Sequence, residues 1–342
     1  VLPEFFGDHI LVNGQAWPVM DVEPTVYRLR MLNGSDSRFY NLRLSSGDSA
    51  GQLADPQIQQ IGTDSGLLYA PVPLDKLALG PGERADVLVD FSQYADQTLI
   101  LRNNAHSPFP KGDVVDPRTT GQIMAFRVGG STSAQHQIPS TLLPSPIDSL
   151  VQTGPTRNLL LFEGEDEYGR LQPMLGTVDE GGLMWDDPTT EEPQLNSVEV
   201  WEIFNSTEDA HPIHLHLVAF QVLSRQKFKA DQDLETGALE DITLLGQPKP
   251  PAENEAGWKD TVQMFPGEVT RLIAKFDRPG EYVWHCHILS HEDHEMMRRY
   301  VVLDTTTLVG AIPEPSALAM LAIGLAVFGI RMRVEKRCQE PF

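Results

Sequence analysis

Three kinds of soft-metal donor lie together in the segment His285-Cys286-His287-Ile288-Leu289-Ser290-His291-Glu292-Asp293-His294-Glu295-Met296. A thiolate stands between two imidazoles, with another imidazole five residues past the cysteine and a thioether ten past it. Two His and one Cys binding in a plane, with a weak axial Met, form the donor set of a blue-copper centre. Cys286 and His291 then supply two equatorial donors and Met296 the axial one. The remaining equatorial His must come from another strand, and His211-Pro212-Ile213-His214-Leu215-His216 is the other dense His cluster. Zinc would accept the His and Cys donors but has no use for an axial thioether.

Strand geometry sorts these donors, because successive side chains point to opposite faces. His285 and His287 face away from Cys286 and so serve a different metal. His214 and His216 share a face, while His211, at an odd offset from His214, can point elsewhere. The simplest assembly places His211, Cys286, His291 and Met296 on one copper, with His214, His216, His285 and His287 on a second metal group close by. His294 fits no ligand position and reads as a solvated surface residue.

The elements that must carry these donors read as strands. Short apolar or alternating runs recur at 26–32, 39–44, 85–91, 98–102 and 122–128, separated by turn dipeptides such as Asn13-Gly14 and Asn33-Gly34. No segment before the C-terminus has a long helical period. An internal repeat shows the architecture, since 81–91 (PGERADVLVDF) aligns with 266–276 (PGEVTRLIAKF). Likewise 40–44 (YNLRL) lies over 213–217 (IHLHL), with Asn41 and Arg43 in place of the two His. The chain is therefore expected to be all-β, with two antiparallel β-sandwiches: 1–130 without metal ligands, a polar linker at 131–157, and the metal-binding domain at 158–305.

The formal net charge of -22 over 342 residues excludes nucleic acid and anionic membrane surfaces as partners, since both demand a basic patch. Neutral phenols, cationic dyes and metal ions are all compatible with it. Of the two cysteines, Cys286 is claimed by metal and Cys338 stands alone, so no disulfide framework exists.

The motifs HPIHLH and HCHILSHEDHEMM resemble the two C-terminal copper motifs of the multicopper oxidases, most closely the bacterial laccase, spore-coat laccase and bilirubin oxidase branch. The resemblance runs up to about residue 303 and includes EFFGDHILVNG and EVWEIFNSTEDAHPIHLHLVAF. It implies cupredoxin domains, with His211, Cys286, His291 and Met296 as type 1 copper ligands, His214 as a type 2 ligand, and His216, His285 and His287 as type 3 ligands. Glu292 matches an acidic position that the family uses to relay protons, though a solvated carboxylate would read the same way. The implied activity is oxidation of a small-molecule or metal-ion donor at type 1 copper, with Cys286 passing electrons to a trinuclear cluster that reduces dioxygen to water.

That cluster draws on four His-x-His pairs in the family, and this chain has two; His9, His106 and His136 are isolated. The expectation is that an N-terminal cupredoxin domain, preceding EFFGD in relatives, supplies the rest. A type 1 electron carrier without oxidase activity is the alternative, and a surface protein with a vestigial copper site is a further one. Finally, Pro313-Glu314-Pro315, an apolar run at 317–330 and the basic residues Arg331, Arg333, Lys336 and Arg337 resemble the PEP-CTERM sorting signal of Gram-negative bacteria. At 312–337 this implies an exported protein handled by envelope sorting machinery. An ordinary C-terminal anchor with positive-inside flanks is the other reading.

Overall fold

The computed structural model describes residues 3–46, 55–132 and 134–304. The sorting segment and Cys338 lie outside the described residues. The chain up to Leu303 forms one compact unit, built almost wholly of strands. Among the described residues the helical elements are the turns Glu253–Glu255 and Leu289–Glu292.

In the first half, Asn13 and Gly14 both take positive φ, as a tight hairpin turn requires, and join Leu11–Val12 to Gln15–Ala16. A five-stranded sheet runs in the order Val19–Val22, Gln122–Val128, Thr98–Asn103, Tyr40–Ser45, Leu77–Leu79. A four-stranded sheet runs Val26–Leu32, Arg84–Asp90, Ile58–Thr63, Gly66–Leu74. Period-two alternation packs Leu42, Leu44, Leu99 and Leu101 from the first sheet with Ile58, Val87 and Val89 from the second in a single core.

The second half repeats the plan on a larger scale. Its seven-stranded sheet has Val198–Asn205 near its middle, flanked by Thr156–Glu165 and Glu268–Lys275. The four-stranded sheet runs Thr261–Met264, His211–Leu215, Gly280–Cys286, Met297–Val302. Val198–Asn205 is buried on both sides: Trp201 and Ile203 join the main core, while Val200 and Phe204 enter clusters on the opposite face. Trp201 meets Phe276, Trp284 and Tyr300 at centroid distances of 5.7, 5.6 and 5.8 Å. The Tyr300 hydroxyl donates to the His216 carbonyl, which ties that aromatic core to the metal-ligand strands.

Both copies of the internal repeat are a turn feeding a strand. Gly82 and Gly267 adopt φ of 75° and 68° and lead into Arg84–Asp90 and Glu268–Lys275. Two details differ from the sequence reading. Among the named strands of the described residues each half contains one parallel strand pair, Val19–Val22 with Gln122–Val128 and Thr156–Glu165 with Val198–Asn205, because the connection between the partners is long enough to cross over. The strand carrying HPIHLH ends at Leu215, and Leu217 turns into the left-handed region at φ 68°.

Trp201→Ala should cost about 3–5 kcal/mol, read as a lowered urea midpoint. Leu234→Ala, at a side chain 96% exposed, should leave the midpoint unchanged.

Candidate metal centre

Register sets the site. In the pairing of His211–Leu215 with Gly280–Cys286, Ile213 lies opposite Cys286 and His214 opposite His285. Alternation from those pairs sends Cys286 to one side and His285 to the other. The chain then turns through Leu289–Glu292, which returns His291 to Cys286.

Cys286, His211 and His291 are wholly buried. Cys286 Sγ lies 3.7 Å from His211 Nδ1 and 3.8 Å from His291 Nδ1, and the two nitrogens are 3.3 Å apart. The point equidistant from all three is about 2.1 Å from each, close to a transition-metal bond to imidazole and slightly short of one to thiolate. Thr207 Oγ1 gives its proton to Asn205 Oδ1 at 2.7 Å and lies 2.7 Å from His211 Nε2, so that nitrogen is the donor and the Nδ1 lone pair is left for a metal. Met296 is buried beside them: Cys286 N donates to its carbonyl and its own N donates to the His291 carbonyl, both at 3.0 Å. The Ile288 N–H points at the sulfur from 3.4 Å, a contact of the kind that tunes a copper thiolate.

Burial, reinforced by the neighbouring imidazole of His291, holds His211 well below the usual histidine range; burial brings His291 down to about 4. Both are therefore neutral at pH 7, the form that binds metal. Burial also pushes the Cys286 thiol well above its ordinary value, although the Ile288 N–H works the other way. The donor set thus fits copper, with a proton to be displaced from sulfur on binding.

The second group lies on the other face. His214, His216 and His285 place one ring nitrogen each within 4.8 Å of the others. His216 Nε2 and His285 Nε2 face each other at 3.3 Å. His287 adds a fourth ring, 5.6 Å from His285 and 5.9 Å from His214 between centroids. Two of the Nδ1 atoms are engaged elsewhere: His285 Nδ1 with the Cys286 carbonyl at 2.9 Å, His214 Nδ1 with the Asp260 carbonyl at 2.8 Å. Glu292 Oε2 is 3.1 Å from His285 Nδ1. Burial works against its charge, but His285 and the imidazoles around it hold Glu292 below the ordinary carboxylate range. Glu292 also lines a cavity of about 430 Å³ with Asp36, Ser290 and Asp293. His294 is half-buried rather than solvated, and its Nδ1 has no hydrogen-bond partner. It belongs to neither group.

The sequence reading missed several residues around these donors. Glu163 Oε1 lies 3.6 Å from His211 Nε2, and burial followed by Asp209 and Glu208 pushes it up to about 7. Glu4 is raised to about 8 by burial, then by Asp209 and Glu163. From the first half, Arg84 reaches Asp260, and Gly82 lies against the His287 ring. The available signal was in the repeat, where Arg84 stands opposite the apolar Val269.

A buried Cys-His-His triangle in a two-sheet β-sandwich, with Met296 packed in the same core, is the donor arrangement of the cupredoxin class. Residues 162–306 match the family described as multicopper oxidase, and 311–334 match the PEP-CTERM protein-sorting motif. The chain is 40% identical over 307 residues to a laccase of Bacillus subtilis, covering 89% of this chain and 56% of that protein. It is 43% identical over 303 residues to a laccase of Bacillus stratosphericus, covering 87% and 55%. The crystal structure of the McoA multicopper oxidase from Aquifex aeolicus superposes with a TM-score of 0.67 at 30% identity, covering 87% of this chain and 60% of that one. The chain carries the multicopper oxidase domain at residues 162–306 and is similar to these laccases along most of its own length, and it spans just over half the length of the curated relatives it matches.

Copper uptake at the Cys286 triangle should release about one proton per ion near pH 7, so apparent affinity should rise as pH rises. Calorimetry in buffers of different ionisation enthalpy checks this. Proton-neutral binding would contradict a buried, protonated thiol.

Proposed function

We propose that this chain forms the second and third domains of a laccase-like oxidase, with 1–130 a copper-free cupredoxin-like module, 131–157 a linker and 158–305 the copper domain. In this reading His211, Cys286, His291 and Met296 hold type 1 copper, His214 serves type 2 copper, and His216, His285 and His287 serve the type 3 pair. Bound copper supplies one-electron acceptance at the first site and, once a further domain completes the ligands, four-electron reduction of dioxygen to water at the second.

The observation that carries this reading is the position of Cys286 between the two groups. Its sulfur faces His211 and His291, while its backbone continues directly into His285 and His287. Its carbonyl also accepts a hydrogen bond from His285 Nδ1 at 2.9 Å, which gives electrons a second short route beside the covalent one. The two His211 and His291 rings fix the donor side. In this reading Glu292, 3.1 Å from His285 Nδ1 and lining the neighbouring cavity, passes protons inward from solvent. Electron donors are phenols, pigments or metal ions in reduced form. The sorting motif at 311–334 supports an exported protein of the cell envelope or surface, handled there by sorting machinery.

Oxygen uptake with a phenolic or dye donor, by copper-loaded protein carrying the upstream domain, tests the oxidase. No uptake, with the blue site intact, would leave a type 1 electron carrier as the correct reading. Cys286→Ser should abolish the thiolate-to-copper colour while the His-only group still binds metal, whereas Met296→Leu should keep the colour and shift the potential. Visible spectra and potentiometry decide both, and a blue band surviving in Cys286→Ser would end the type 1 assignment.

A further inference from the structure

The turn between Leu77–Leu79 and Arg84–Asp90 belongs to the half of the chain without metal-ligand pairs, yet Gly82 within it lies against the four-imidazole group and Arg84, the first residue after it, reaches Asp260 beside that group. Gly82 has φ +75°, and a Cβ there would overlap the His287 ring, so bare backbone lies against that imidazole. Arg84 forks onto Asp260, with its terminal nitrogens 2.7 Å from Oδ1 and 2.5 Å from Oδ2. Asp260 in turn holds His214: its carbonyl accepts from Nδ1 at 2.8 Å, and its Oδ1 is 3.4 Å from the same nitrogen. Thr261 Oγ1 donates to Asp260 Oδ1 at 2.8 Å and lies 3.1 Å from His214 Nδ1.

Arg84 is itself anchored. Its backbone N donates to Asp64 Oδ1 at 2.8 Å, and its guanidinium donates to the Asp64 carbonyl at 3.1 Å. Lys259, adjacent to Asp260 in sequence, is buried with Nζ 2.8 Å from Asp64 Oδ2 and 3.3 Å from Glu83 Oε1. One charged network therefore fixes the turn, the Asp260 segment and the His214 ring together. A bidentate guanidinium–carboxylate pair constrains orientation as well as distance. The partner of a ligand's other ring nitrogen sets which nitrogen is free for metal.

We propose that Arg84 is a positioning residue for the four-imidazole site: it fixes Asp260, and Asp260 fixes His214 with Nδ1 protonated and Nε2 turned to the metal. This rests on His214 being a metal ligand, as proposed above. The copper-free half thereby sets the geometry of a site to which it contributes no ligand. Substitutions one step behind a ligand typically weaken metal binding by about 10- to 100-fold.

The test uses the full chain as Arg84→Gln and Arg84→Lys beside the parent, with two readouts. Two-bond proton–nitrogen spectra of the metal-free protein report which His214 nitrogen carries the proton. Cobalt(II) titration, with the Cys286 site followed by its charge-transfer band, reports affinity at the His-only group. The parent should show a single tautomer protonated at Nδ1. Arg84→Gln should mix tautomers and weaken cobalt binding at the His-only group by about 10- to 100-fold, with the Cys286 site unchanged. Arg84→Lys should resemble Arg84→Gln, because an ammonium cannot span both carboxylate oxygens. An unchanged tautomer with affinity within about twofold of the parent overturns the proposal, as does equal weakening at both sites, which would mark a purely structural role. If the parent shows the Nδ1 tautomer, the variants lose it, and no metal binds at the His-only group in any of them, positioning stands and the cluster reading fails.

Discussion

Everything in the second half depends on one strand ending at one residue. Gly280–Cys286 is held in register between His211–Leu215 and Met297–Val302, and this fixes which way each side chain of His285-Cys286-His287 points. A shift of one residue would exchange the faces, burying an imidazole where the sulfur belongs. The register is secured by aromatic packing directly behind the donor strands. Trp284 is buried against Trp201, and Tyr300, opposite Tyr282 on the neighbouring strand, donates its hydroxyl to the His216 carbonyl. The aromatic core is thus the frame that keeps two sets of donors on opposite sides of one backbone.

Burial does a second task. It keeps His211 and His291 neutral without a metal and keeps the sulfur protonated, so the first site is preassembled and uncharged. The four-imidazole face is more open, and its rings are oriented instead by polar contacts from their surroundings: the Cys286 and Asp260 carbonyls and Glu292. The two sites use different means because one is sealed within a sandwich and the other faces outward from it.

Much of this was legible in the sequence. The spacing of HCH with a later His and Met, the HPIHLH cluster and the PGE repeat all survive as geometry, because short-range periodicity on a strand decides the side each residue takes. Less could be read where contacts are made between distant segments. Arg84 and Asp260 are far apart in sequence, and nothing local to either marks their pairing. Glu163 follows the apolar run 158–162 in a cluster of acidic residues that reads as a loop, yet the strand continues through it and it faces His211. His294 looked like a surface residue because the local loop is polar, while the fold half-covers it. The parallel pairings also escaped, since they depend on how long connections cross the sheets rather than on alternation.

The sealing of Cys286 also bears on the life of the protein before copper arrives. A chain that carries an export-linked sorting motif meets oxidants and foreign disulfides outside the cytoplasm. Reaction with either needs an accessible thiolate. Cys286 offers neither access nor charge: it is fully buried, and its proton is held tightly. Burial thereby shields this thiol from mispairing and sulfenic acid formation until a metal ion displaces its proton.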